Sequence, residues 1–159
     1  MASDVIINIK VDQTLIAFME NLYGPQPITF PRKDNFNLLL HHLVSPALQD
    51  RREKQYAESN LAIVLPYFDD KNVFYNYYLN ERRQRIFEQS VDNLFRITFR
   101  CEIDRALRLC ITRIDAVYVF IDKYNLDINC FDMLIKDYQR YRKAMAQKKY
   151  RENRKNLVS

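Results

Sequence analysis

The side chains best suited to chemistry in this chain are cations gathered near its C-terminal end. Residues 136–155 hold nine Lys and Arg side chains but only two carboxylates, Asp137 and Glu152. The net charge of this segment is therefore +7, whereas the whole chain carries +5, so the remaining residues are slightly acidic. Charge concentrated in this way binds nucleic-acid phosphate, an anionic membrane or an acidic protein. Ten residues form the predicted nucleic-acid-binding set: Lys136, Arg140, Arg142, Lys143, Gln147, Lys148, Lys149, Arg151, Arg154 and Lys155.

Groups that could catalyse a reaction or bind a metal are sparse. His41 and His42 are the only histidines. Adjacent positions on a helix point about 100° apart, whereas a two-histidine metal site needs positions i and i+4. The single glycine, Gly24, leaves no glycine-rich phosphate loop and no nucleophile elbow. The sequence therefore predicts a protein that is not an enzyme and has no catalytic residues, metal, cofactor or small-molecule substrate.

Cysteine usage and hydropathy predict the compartment. The cysteines have no C-x-x-C spacing and cannot all pair within one chain. We expect reduced thiols, each a small core residue: Cys101, Cys110 and Cys130. The first residues do not resemble a signal peptide, and the longest apolar run, Leu61 to Leu65, is far shorter than the roughly 18 residues that span a bilayer. These features predict a cytoplasmic protein that does not contact a membrane.

The elements that position the cations are predicted to be mostly helices. Period-two alternation from Val5 to Val11 predicts a short strand, and the extended segment from Pro27 to Pro31 is expected to pair with it as a two-stranded ribbon. Apolar spacings of three and four predict seven helices. The first is capped by Asp12 and ended by Gly24, the second is opened by Asp34, the third covers 56–65, and the fourth covers 71–79 and is capped by Asp69 and Asp70. A long central helix follows over 80–110, then one over 113–123 and a last one from Asn129. The predicted fold is mainly α, a single helical domain with a long central helix.

The last helix is predicted to extend beyond the compact domain. That domain is expected over residues 1–145, including a two-helix unit at 112–145, with a basic helical extension over 146–159, because the apolar face ends at Met145. Tyr138 and Tyr141 continue the apolar stripe of the helix, which favours core positions over stacking on unpaired bases. Tyr150 is the ring expected to be exposed.

The segment from Ile114 to Arg142 carries a resemblance to a known family. It has a short helix, a turn around 124–128 and a second helix rich in Lys, Arg and Tyr. It resembles a helix-turn-helix, with Asn125 where the family usually places a turn glycine. The resemblance implies DNA binding. Asp127 and Asp132 fall where the family reads bases, and the cations come later, so it implies contact with the phosphate backbone.

Two further resemblances concern the N-terminal strand and the composition. A strand with Ile6, Asn8 and Lys10 on its outer side, followed by an Asp-capped helix, resembles the start of ribbon-helix-helix DNA-binding proteins. The prolines at 25–31 depart from that pattern, which favours a structural role for the strand. The composition, rich in Asn, Ile and Tyr, is similar to that of small bacteriophage and mobile-element proteins. A phage origin implies the host cytoplasm or the virion.

These features support two functions. One is a non-enzymatic DNA-binding accessory or regulatory protein that contacts double-stranded DNA through its basic helix. The alternative is a phage structural or assembly protein, or an interaction module, whose basic helix docks on an acidic protein surface or on another copy in a homo-oligomer. Its predicted anchor is an aromatic cluster: Tyr67, Phe68, Phe74, Tyr75, Tyr77 and Tyr78. A solvated extension without a partner is the third interpretation of the basic segment.

Overall fold

The chain folds mainly into α-helices. A computed structural model describes the protein over residues 4–46 and 59–156. In chain order its elements are β1 (Ile6–Ile9), α1 (Gln13–Tyr23), α2 (Asn35–Leu43), β2 (Leu61–Val64), α3 (Glu81–Arg108), α4 (Arg113–Lys123), a 3₁₀ turn (Ile128–Cys130) and α5 (Phe131–Asn156). The predicted fold class is confirmed: the protein is mainly α, with a short N-terminal strand in a two-stranded ribbon and a long central helix.

The first two helices begin where their capping residues predict. The Asp12 carboxylate accepts a hydrogen bond from the Thr14 N–H at 2.9 Å, and the Asp34 carboxylate accepts one from the Phe36 N–H at 2.8 Å. α1 ends at Gly24, whose φ of 98° lies in a region that residues other than glycine rarely adopt. These local signals were sufficient to place both helices.

The strand β2 corrects the predicted helix over 56–65. Residues 61–64 pair antiparallel with β1, with Ile7 opposite Ile63 and Ile9 opposite Leu61, and all four side chains are buried. Residues 56–58 lie outside the described ranges. A short apolar run of this kind is compatible with either a strand or a buried helix. It forms a strand here because the edge of β1 offers backbone hydrogen-bond partners.

The extended segment after α1 pairs with β2, not with β1 as predicted. The Ile28 N–H donates to the Ala62 carbonyl, and the Val64 N–H donates to the Ile28 carbonyl, both at 2.9 Å. This is a parallel bridge opposite Ile63. Because β1 occupies one edge of β2, the segment takes the other edge.

Residues 73–75 form a turn and Tyr78 pairs with Ser45 in an isolated bridge, so the predicted helix over 71–79 was also wrong. The Asn72 carboxamide accepts from the Phe74 N–H, and the Asn72 carbonyl accepts from the Asn76 side chain, both at 2.9 Å. Such local bonds compete with those of a helix. Asp70, predicted to help cap that helix, binds His41 Nε2 at 2.8 Å instead.

Contacts divide the chain into two compact units, Met1–Phe95 and Arg96–Ser159, and α3 contributes residues to both. α3 carries a buried side chain every fourth residue: Phe87, Val91, Phe95, Phe99 and Ile103. In the first unit Phe18 packs edge-on against Phe95, with ring centroids 5.1 Å apart. The predicted boundary at residue 145 stays a prediction.

Candidate nucleic-acid interface

A helix, a turn and a second helix position the basic segment in the second unit. The Thr112 hydroxyl accepts from the Asp115 N–H at 3.2 Å and donates to the Asp115 carboxylate at 2.5 Å, which caps α4 as predicted. The chain then turns at Asn125, whose φ of 50° asparagine tolerates. The Asp127 carboxylate accepts from the Asn129 N–H at 2.8 Å and starts the 3₁₀ turn that leads into α5. The resemblance of this unit to helix-turn-helix proteins stays a prediction.

Asp137 is one of the two acids within the basic segment, and two arginines of α3 compensate the charge of its carboxylate. Arg100 holds its carboxylate with two hydrogen bonds, from Nε at 3.0 Å and from Nη2 at 2.9 Å, and Arg96 donates a third. Burial alone would raise the pKa of Asp137, but the hydrogen bonds and charges of Arg100 and Arg96 outweigh it and lower that pKa. The Asp137 charge is therefore used within the unit, and Glu152 is the acid of residues 136–154 that faces solvent.

Two tyrosines fix α5 to α3 through one carboxylate. The Tyr138 hydroxyl donates to Asp104 Oδ1 at 2.5 Å, and the Tyr141 hydroxyl donates to Oδ2 at 3.2 Å. Burial, the hydrogen bond and the charge of Asp104 together raise the pKa of Tyr138 to about 12. The Arg100 guanidinium lies 5.2 Å from the centre of the Tyr141 ring, a cation–π distance. The predicted core position is confirmed for Tyr138, which is 1% exposed, whereas Tyr141 is half-buried and Tyr150 is exposed as predicted.

A second carboxylate of α3 fixes α4. Glu102 Oε1 accepts from Lys123 Nζ at 2.6 Å and from the Tyr124 hydroxyl at 2.7 Å. The hydrogen bond from Lys123 to Glu102 raises the pKa of Lys123, and burial together with the hydroxyl's own hydrogen bond to Glu102 raises the pKa of Tyr124. Lys123 is therefore held as a cation against α3.

These α3 residues were missed by reasoning from the sequence. Arg96, Arg100 and Asp104 recur every fourth position, and each directly follows a buried residue of the apolar stripe. The available signal was that these polar residues form a stripe beside the apolar stripe of α3. Two adjacent stripes on one helix contact the same neighbouring helix, so the polar stripe indicates polar contacts with it. The spacing alone does not indicate which residue of the neighbouring helix each of these side chains binds.

The predicted cations lie on the solvent side of α5. Every side chain from Arg142 to Arg154 is exposed. At about 100° per residue, six predicted residues fall within about 80° of one another and opposite the buried Leu134 and Tyr138. They form what we call the cationic stripe: Lys136, Arg140, Lys143, Gln147, Arg151 and Arg154. Arg142, Lys148 and Lys149 flank it. The stripe is about 27 Å long, since each residue adds about 1.5 Å.

The cations of α5 keep their charge available. Within the described part of residues 136–154, no Lys or Arg side chain forms an ion pair with a carboxylate. The side chain of Lys155 lies outside the described atoms. A basic helix paired with the protein's own acids would have nothing to offer phosphate, and this helix is not paired in that way.

The six aromatic residues of the predicted interaction cluster do not share one environment. Phe68 is half-buried and packs edge-on against His41, with ring centroids 4.8 Å apart. The Tyr78 backbone exchanges two hydrogen bonds with Ser45, each at 3.0 Å. The exposed members are Tyr67, Phe74 and Tyr75, and the half-buried ones are Phe68, Tyr77 and Tyr78.

The cysteines correct one prediction. Cys101 and Cys110 are exposed and only Cys130 is buried, while all three are free thiols. Cys110 follows the end of α3, has a φ of 60° and is exposed. Burial, with the nearby charge of Asp127, raises the pKa of Cys130. In the part of the chain that the structure describes, no three His, Cys, Asp or Glu side chains gather as a metal site would require.

The described helices include none that is both long and apolar enough to cross a membrane. No family model, curated protein or solved structure matches this chain. Its function is therefore inferred from its own residues.

Proposed function

We propose that this protein is a non-enzymatic DNA-binding accessory or regulatory protein whose basic helix contacts the phosphates of double-stranded DNA. One observation carries the proposal: the cations of α5 are exposed and unpaired among the described residues, on a helix whose first turns are anchored by Asp137 and Tyr138. An anchored helix with free cations loses little conformational entropy when it meets a polyanion, and its charge attracts phosphate.

The arrangement favours backbone contact over base reading. The cationic stripe is about 27 Å long, close to the roughly 34 Å of one turn of duplex. The start of α5, where a helix-turn-helix protein reads bases, presents Asp132 and Met133 to solvent. A carboxylate there repels phosphate and limits how deeply this end of the helix enters a groove. We therefore expect binding that depends weakly on DNA sequence.

An anisotropy titration of the full chain against a labelled duplex tests the proposal. Six phosphate contacts predict a slope of about −5 for log Kobs against log salt concentration, so binding weakens roughly a thousandfold between 50 and 200 mM salt. A duplex of unrelated sequence should bind within a few-fold. Absence of binding at low salt would overturn the proposal.

Neutralising variants locate the contact. One variant replaces four cations of α5 by Gln: Arg140, Lys143, Lys148 and Lys149. It should reduce the magnitude of the salt slope by about 3 to 4, because each lost phosphate contact removes about 0.9. A matched control removes the same charge at four exposed positions elsewhere: Lys33, Arg82, Arg105 and Arg108. Equal losses in both variants would show that binding follows net charge and not the basic helix.

A second function is favoured by the exposed apolar side chains of α4. Ile114 is 54% exposed and Tyr118, one turn further on the same face, is 49% exposed, and Asp115 and Asp122 are exposed on the same helix. Such a surface is typical of a protein contact. The alternative is therefore a structural or assembly component, or an interaction module, whose basic helix docks on an acidic surface or on another copy. A likeness in composition to bacteriophage and mobile-element proteins suits both functions.

Light scattering separates the two functions. A protein that is monomeric without DNA and forms a defined complex with duplex supports DNA binding. A stable homo-oligomer that has no affinity for duplex supports the alternative.

A further inference from the structure

A cleft in the first unit has the size of a small-ligand site. Its volume is about 680 Å³, and it is lined by α2 and by residues 66–70. Small-molecule sites commonly measure about 300–1,000 Å³. Aromatic rings make up much of the lining, from Phe30, Tyr67 and Phe68, together with the His41 imidazole.

A buried acceptor in this lining lacks a donor. Asn37 is 7% exposed, and its Nδ2 donates to the Pro31 carbonyl at 2.7 Å and to the Phe30 carbonyl at 3.4 Å. These bonds fix the orientation of the amide. The Oδ1 atom is buried without a partner among the described residues. A buried oxygen without a donor keeps its negative partial charge uncompensated behind the cleft lining, which favours a cation in the cleft.

The charges of the lining also favour a donor-rich ligand. Asp69 and Asp70 contribute two carboxylates, and Asp70 uses one oxygen to bind His41. Arg32 contributes the opposing cation. Lys71 keeps its charge nearby but does not line the cleft, and its Nζ donates to the His41 and Val44 carbonyls at 2.7 and 3.0 Å. The lining therefore has acceptors and π faces in excess of donors.

We propose that this cleft binds a guanidinium group. Guanidinium is a planar cation with N–H donors and no acceptor, and it stacks on aromatic faces. Its donors match the carboxylates of Asp69 and Asp70 in the lining. A phosphate or a carboxylate alone would meet two acids against the single guanidinium of Arg32. The site does not depend on the DNA-binding function, because no residue of α5 lines it.

Calorimetric titration of the full chain with L-arginine and L-citrulline tests the charge requirement. Citrulline has nearly the same shape but carries a neutral urea. Arginine should bind at least about tenfold more tightly, because cation–π and charge-assisted hydrogen bonds require the positive charge. Equal affinities, or no saturable binding of arginine at millimolar concentrations, would overturn the proposal.

Variants tie the binding to the cleft. Asp69→Asn and Phe68→Leu should each weaken arginine binding about five- to tenfold, through loss of a carboxylate and of a π face. Asp122→Asn, an exposed carboxylate on α4, is the matched control and should leave the affinity unchanged. Unchanged affinity in both cleft variants would contradict the assignment. Asn37 is not varied because its Nδ2 also holds the carbonyls of residues 30 and 31, so the citrulline comparison carries the test of charge.

Two ligands distinguish the source of the guanidinium. Tighter binding of free L-arginine than of N-acetyl-arginine amide indicates a free amino acid whose carboxylate meets Arg32. Equal or tighter binding of the capped form indicates an arginine within a protein partner. Asp69→Asn should retain DNA binding and the Gln variant of α5 should retain arginine binding, so failure of one proposal is distinguishable from failure of the other.

Discussion

At the scale of residues, one buried carboxylate determines how much charge the basic helix offers. Asp137 is 11% exposed and is bound by both Arg96 and Arg100. Without these arginines it would offset a neighbouring cation such as Lys136. With them, the cationic stripe keeps its full charge, and α5 gains a polar anchor beside the buried ring of Tyr138.

Replacing Asp137 by Asn should lower the free energy of unfolding by about 2 kcal/mol at neutral pH, since two partly buried guanidinium groups lose their carboxylate. The folded-state pKa of Asp137 lies below its unfolded value, so its stabilisation is present above about pH 4 and is lost as pH falls through the folded pKa. Urea unfolding of both proteins should therefore show a difference that shrinks below about pH 4.

The exposed Asp122 provides the control for this measurement. Asp122→Asn should change the free energy of unfolding by less than about 0.5 kcal/mol, because it removes a solvated carboxylate. A loss at Asp137 no larger than at Asp122 would mean that the ion pairs add nothing to stability.

At the scale of elements, pairing partners override local helical patterns between residues 59 and 79. The run 61–64 becomes a strand because β1 and Ile28 occupy its two edges. Residues 73–75 form a turn in which Asn72 bonds to its own neighbours, and Tyr78 pairs with Ser45 instead of continuing a helix. The chain after β2 passes beside α2, where Phe68 packs against His41, and residues from both segments line the cleft.

The strand assignment predicts where the ribbon is sensitive. Ile63 is fully buried between β1 and Ile28, so Ile63→Ala should lower the free energy of unfolding by about 3 kcal/mol through lost burial and a residual cavity. Val64→Ala, at the half-buried neighbouring position, should cost about 1 kcal/mol. Chemical denaturation measures both. Similar costs at the two positions would contradict the alternation of a strand.

At the scale of the whole molecule, the positive charge is concentrated near the C-terminal end of the chain, whereas almost all of the buried apolar side chains lie before it. Residues 136–155 carry a net charge of +7, whereas the chain as a whole carries +5. The same segment loses its buried side after Tyr138. The last turns of α5 therefore add little to stability and much to the field that a polyanion meets.

Removal of residues 146–159 should separate stability from binding. The truncated chain should unfold within about 1 kcal/mol of the full chain, because the described side chains it loses are exposed. It loses five cations, so the salt slope for duplex binding should shrink in magnitude by about 4. Thermal unfolding and anisotropy measure the two effects. A large fall in stability would show that the extension is packed against the rest of the protein.

The sequence by itself determined the features that depend on near neighbours. Caps at Asp12, Asp34 and Thr112, the turn at Asn125 and the stop at Gly24 involve bonds or φ values within a few residues, so residue type suffices to place them. The helical class, the ends of α4 and the position of the basic segment follow from the same local patterns.

Only the tertiary structure decided the features that join distant residues. The strand at 61–64 needs Ile7, and the pairing of the Asp137 carboxylate needs Arg96, some forty residues earlier in the chain. The cleft needs α2 and residues 66–70, which join at the contact between His41 and Phe68. Periodicity reports which side of an element is apolar. It does not report which element covers that side, because many pairings bury similar area and long-range contacts select among them.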